Sequence, residues 1–140
     1  MAQPLQTSKK HRRDEDARPR VLGLVAGSGQ FPRLVIQGAK TMGMRTVVVG
    51  FKGHADPELE KLADHFIMLP LGQLGKLVKF FAKYKVTDVT TAGAINKPSA
   101  LSVRPDLRGA RFLLGLKEKS DDAILSAFAK IFEAEGMKVS

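Results

Sequence analysis

Two short apolar runs frame the chain. Val21–Ala26 is almost continuously apolar, the pattern of a parallel strand covered on both faces. Residues 45–50 (RTVVVG) repeat it. Between them Phe31, Leu34, Val35, Ala39 and Met42 recur at helical spacing, which predicts a helix with one buried face ending near Gly43. Strand, helix, strand makes a right-handed βαβ unit the expected arrangement. Residues 51–57 read as a loop, residues 58–63 as a short helix, and residues 66–69 as a third strand closed by Pro70. Leu74, Leu77, Val78, Phe81 and Ala82 mark a second long helix. Residues 86–95 form the fourth strand and run into the glycine-containing turn 92–98. Residues 101–108 are irregular around Pro105, and a helix follows over 109–117. Ser120 fits an N-cap, with Asp121 and Asp122 in the favourable first turn. Ile124, Leu125, Phe128, Ile131 and Phe132 then supply the buried stripe of the last helix, which Gly136 ends, and residues 137–139 enter another strand.

This alternation defines an α/β chain with a Rossmann-like parallel sheet flanked by helices. A helix that leads into only three strand-like residues suggests one domain, residues 21–140, of a two-domain protein whose C-terminal part lies outside this sequence. Residues 1–20 are polar, carry two prolines and show no periodicity, so we expect a disordered basic tail.

Charge sharpens the picture only partly. The net charge is +9, and residues 21–140 alone keep 17 basic against 11 acidic side chains, a net +6. Such a field favours anionic ligands or an anionic surface, but selects no single partner. In the tail, acids at 14–16 dilute the basic run 9–13, and no aromatic is interleaved for base stacking, which argues against a nucleic-acid arm. Without cysteine there is neither a disulfide framework nor a thiolate metal site. No apolar run approaches the roughly 18–20 residues of a membrane span. With no apolar secretory signal either, the expected location is cytoplasmic.

Candidate chemistry gathers after the strands. Gly27, Ser28, Gly29 and Gln30 link the first strand to its helix, and Pro32 fits the first turn. A helix N-terminus behind glycines suits phosphate. A dinucleotide fingerprint is not met: Pro32 stands where the third glycine belongs, and Lys52 follows the second strand where a ribose-binding acid is needed. A mononucleotide or diphosphate remains, as does a tight turn without ligand. Ala94, Ile95, Asn96 and Lys97 follow the fourth strand on the same expected edge, where open sheets bind ligands. Lys97 could pair with phosphate, and Asn96 could bond a base or sugar. Residues 97–119 hold six basic and two acidic side chains, among them Arg104, Arg108, Arg111, Lys117 and Lys119. They suit a diphosphate, acidic lipid headgroups or simply solvent. Asp121 and Asp122 could bind metal or polarise water, though capping explains them as well. Of three histidines, only His54 lies in a candidate functional loop.

Six segments occur in a telling order: 22–32 (LGLVAGSGQFP), 53–57 (GHADP), 74–76 (LGK), 92–98 (AGAINKP), 119–123 (KSDDA) and 132–136 (FEAEG). Together they resemble the N-terminal domain of the LpxI-type UDP-2,3-diacylglucosamine pyrophosphatases, from about Val21 to Ser140. The resemblance implies hydrolysis of UDP-2,3-diacylglucosamine to lipid X and UMP in lipid A synthesis, by attack of water on the α-phosphorus with Mg²⁺ as cofactor. It implies a lipid held between two domains, with an essential acid in the C-terminal one, and peripheral contact with the inner membrane. It places Gln30 in the first ligand loop, Ala94, Ile95 and Asn96 in the second, and Ser120, Asp121 and Asp122 on a Gly-Asp-Asp motif. Two departures stand out. Lys97-Pro-Ser99 replaces a common Arg-Pro-Asp, losing the guanidinium fork, and Ser120 replaces a glycine. Two other functions compete: a non-catalytic module that binds a nucleotide sugar or lipid phosphate, and a nucleic-acid module resting on charge alone.

Overall fold

The computed structural model describes residues 19–94, 105–115 and 121–140. The expected tail, residues 1–18, lies outside them. Five strands form one parallel sheet: β1 (Val21–Ala26), β2 (Arg45–Phe51), β3 (His65–Leu69), β4 (Asp88–Ala92) and β5 (Lys138–Val139), in the order β3-β2-β1-β4-β5. Four α-helices accompany it: α1 (Phe31–Thr41), α2 (Leu74–Lys83), α3 (Leu107–Gly115) and α4 (Asp121–Ala134). A 3₁₀ turn covers Pro57–Lys61.

Burial follows position in the sheet. β1 is central, flanked by β2 and β4, and every one of its residues is buried. β2 is buried after its first residue, whereas the outer β3 is mostly half-buried. Two apolar layers sit on opposite faces. On one, Val21, Val25, Val47 and Val49 meet Leu77, Val78 and Phe81 of α2 and Phe132 of α4. On the other, Leu24, Ala26 and Val48 meet Ile36 of α1, with Ala55 and Leu59 from the segment after β2. Phe81 and Phe132 are completely buried and tilt against each other with ring centroids 5.8 Å apart. Each side chain of this size contributes roughly 2–3 kcal/mol by burial.

Four expectations need correction. The buried stripe of α1 is Pro32, Ile36 and Ala39; Val35 is half-buried, while Phe31, Leu34 and Met42 are exposed. α1 carries apolar residues on two sides, and the sheet takes only one. Ala82 of α2 is likewise exposed. β4 is shorter than expected, because Lys85 sits at φ 58° and the Val86 N–H bonds the Phe81 carbonyl, making both part of the exit from α2. The short helix after β2 is a 3₁₀ turn over Pro57–Lys61, with Asp56 accepting from the Glu58 N–H at 2.9 Å.

Candidate functional site

In the strand order, β2 and β3 lie on one side of β1, and β4 and β5 on the other. Connections therefore diverge between β1 and β4, the topological switch point at which open sheets bind ligands. The pairing Ala26↔Ala92 closes the parallel ladder there. The two candidate loops begin at the next residues, Gly27 and Gly93.

The loops are joined. The Gly27 N–H donates to the Ala92 carbonyl at 2.8 Å, and the Ser28 N–H to the Ala94 carbonyl at 2.8 Å. The Ala94 N–H returns a bond to the Ser28 carbonyl at 3.1 Å, and Ser28 Oγ also donates to the Ala94 carbonyl at 2.9 Å. Ser28 and Ala94 thus form an antiparallel bridge. This approach needs glycine on both sides. A Cβ on Gly27 would lie 2.5 Å from the Ala94 oxygen, and one on Gly93, at φ 93°, would lie 2.6 Å from the Ser28 oxygen. A glycine at this place in a phosphate loop would present its N–H to the ligand. Instead the N–H groups of Gly27 and Ser28 hold the second loop.

What remains for an anion is the next step of the chain. Gly29 takes φ 96°, with open space where a Cβ would be. Gln30 stands at the N-cap of α1 without a side-chain capping bond, and the first turn holds no acidic residue. The positive end of α1 is therefore left without a side-chain acceptor, as an anion site requires. Arg33 in that turn reaches Asp56 at 3.3 Å, both side chains remaining partly exposed. The bond fixes the loop after β2 beside the start of α1. That loop contains His54, whose buried Nδ1 has no hydrogen-bond partner. Sequence patterning singled out His54 but missed Arg33; its place three residues after Gln30 was the available signal.

Ile95, Asn96, Lys97 and Ser120 lie outside the described residues. Asp121 and Asp122 form the first turn of α4, and their side-chain positions are outside the description as well. Among the described residues, no three carboxylate or imidazole side chains converge as ligands for a metal.

A second polar region lies at the start of α2. Asp106 Oδ2 accepts from the Lys76 N–H at 3.0 Å, and Oδ1 from the Gly109 N–H at 2.8 Å. One carboxylate thus caps α2 and α3 together. Gly109 packs directly on the Gly72 carbonyl; a Cβ there would overlap that oxygen. Between the helices runs a groove of about 590 Å³, lined chiefly by Lys76, Lys79, Arg108 and Arg111. Arg104, Lys117 and Lys119 of the same basic segment lie outside the described residues.

A five-stranded parallel sheet with helices on both faces and a switch point between β1 and β4 defines a doubly wound, Rossmann-like α/β domain. Solved structures agree on the fold. The biotin carboxylase subunit of pyruvate carboxylase is similar over 84% of this chain and 22% of its own, with TM-score 0.53 and 16% identity. The multifunctional pyruvate carboxylase of Rhizobium etli is similar over 87% of this chain and 11% of its own, with TM-score 0.54 and 13% identity. Residues 21–140 match the family described as the LpxI N-terminal domain, and the chain belongs to that family. It is 30% identical over 123 residues to the UDP-2,3-diacylglucosamine pyrophosphatase LpxI of Caulobacter vibrioides, covering 86% of this chain and 43% of that protein. The chain thus spans less than half the length of this relative.

Proposed function

We propose that residues 21–140 form the substrate-holding N-terminal domain of an enzyme that hydrolyses UDP-2,3-diacylglucosamine to lipid X and UMP. The observation that carries this reading is the joined pair of loops at the β1/β4 switch point, directly before the uncapped N-terminus of α1. Family membership and the relative's named activity support the choice of substrate.

In this reading Gly27 and Ser28 build the wall, and Gly29 and Gln30 meet the diphosphate with the positive end of α1. Ala94, Ile95, Asn96 and Lys97 form the second wall, with Lys97 offsetting phosphate charge. Ser120, Asp121 and Asp122, matched to the family's Gly-Asp-Asp motif, contribute to the same substrate site. Phe31 and Leu34, 68% and 58% exposed, supply apolar surface beside the phosphate loop for an acyl chain or a facing domain. Mg²⁺ belongs to the proposed reaction, where it would offset charge on the diphosphate. Attack on the α-phosphorus requires an acid supplied by a second domain. The domain would work in the cytoplasm, in peripheral contact with the membrane that holds the lipid. Among the described residues, no helix is long and apolar enough to cross it.

The test is titration of the chain with UDP-2,3-diacylglucosamine in detergent micelles, followed by amide resonances and by UMP release with Mg²⁺. Expected are shifts centred on Gly29, Gln30 and Ala94, without UMP release. Absence of binding overturns the substrate assignment, and robust UMP release overturns the division of labour between domains.

A further inference from the structure

The groove between α2 and α3 is built unlike the switch-point site. Lys76 and Lys79 on α2 face Arg108 and Arg111 on α3, and all four side chains are exposed. The groove's carboxylate, Asp106, already accepts from two backbone N–H groups. Arg108 has a long ion pair with Glu135 at 3.7 Å. Among the described residues, Lys76, Lys79 and Arg111 have no ion pair.

Leucines border these cations. Leu107 and Leu114 are 71% and 87% exposed. They stand seven residues apart on α3, hence two turns apart on one side, and Arg111 lies between them on that side. Two exposed leucines thus stand directly beside a group of cations, the pairing of apolar and basic side chains found on surfaces that meet a membrane interface.

We propose that this face, Lys76 and Lys79 with the Leu107–Arg111–Leu114 side of α3, docks the domain on an anionic lipid bilayer. The proposal rests on the reading that the substrate is borne by a membrane, and it names the surface that meets it. Lysine and arginine heads would reach headgroup phosphates while the leucines enter the interfacial layer. A soluble phosphate would satisfy the cations but leave the leucines in water. A single-stranded nucleic acid would call for exposed aromatics, whereas Phe112, the aromatic residue of α3, turns inward against Phe128 with ring centroids 6.3 Å apart; a duplex would satisfy the cations but, like phosphate, leave the leucines in water.

The test is co-sedimentation of the full chain with vesicles of phosphatidylcholine alone and of phosphatidylcholine with phosphatidylglycerol, both free of UDP-lipid. Binding is expected only to the anionic vesicles. The double variant Lys79→Glu/Arg111→Glu should lower the binding constant at least about tenfold. Leu114→Ser should weaken binding severalfold while leaving its salt dependence unchanged. Should the double variant fail to fold by circular dichroism, Arg111→Gln takes its place beside Leu114→Ser, and each alone should weaken binding. Failure to bind anionic vesicles overturns the proposal. So does binding insensitive to these variants but lost when Lys9, Lys10, Arg12 and Arg13 become glutamine, which would place it in the tail. Binding that responds to Arg111 but not to Leu114, and is matched by duplex DNA, overturns it in favour of a general polyanion surface. Substrate binding in micelles is measured separately, so loss of docking with substrate binding intact rejects the face and leaves the proposed function standing.

Discussion

Gly27 shows how a single missing Cβ can shape a site. Its N–H belongs to the bond with Ala92, and a Cβ on it would meet the Ala94 oxygen closer than real side chains come. Gly27→Ala must push backbone against backbone. We expect it to lower stability by about 1–3 kcal/mol, the range for overpacking a tight contact. Denaturant unfolding measures the loss, and an unchanged midpoint would mean the loops separate freely. The residue type was legible in the sequence, but its reason was not. A glycine after a strand reads as a turn or a phosphate contact; that it makes room for a loop more than 60 residues away needs the folded chain. The same limit hid the α2–α3 groove, whose Lys76 and Asp106 are 30 residues apart.

At the scale of elements, period and burial mostly agreed with expectation. β1 and β2 were legible because central parallel strands must be apolar on both faces. α2 kept four of its five expected core positions, Leu74, Leu77, Val78 and Phe81. α1 did not follow the expected phase, since Pro32 is a core residue as well as a helix starter, and Phe31 and Leu34 form a second apolar side. Periodicity alone cannot say which side meets the sheet. Capping was equally opaque for α3. Asp106 looked like part of an irregular stretch, yet it fixes the first turns of α2 and α3 at once. Asp106→Ala removes both caps, and we expect a loss of about 1–2 kcal/mol. Hydrogen exchange should accelerate first at Lys76 and Gly109; uniform exchange across the domain would contradict a local role.

For the whole molecule, the two ends of the sheet are tied together by different devices. At the end opposite the candidate loops, Asp64 accepts from the Thr46 N–H at 2.8 Å and from Thr46 Oγ1 at 3.1 Å, tying the start of β2 to the approach to β3. The backbone N–H bond is the main reason its carboxyl titrates below the ordinary value of 3.8; the hydroxyl bond and nearby Lys40 and His65 act in the same sense, against partial burial. A lowered folded pKa means the unfolded chain binds more protons through this range. The contribution is therefore fully present above the ordinary value and disappears as pH falls through the lower folded value. Asp64→Asn should cost about 1 kcal/mol near neutral pH, discounted for exposure. The gap from the parent should close on acidification. A gap that stays constant from pH 7 into the acid range would show that the charge plays no part.

The bridge between Ser28 and Ala94 has a mechanical consequence. Two loops joined by reciprocal main-chain bonds, each rooted in a neighbouring central strand, have no hinge between them. Neither can swing aside to admit a bulky molecule without breaking the other's bonds. This edge of the sheet, from Gly27 and Ser28 across to Gly93 and Ala94, therefore behaves as one fixed piece.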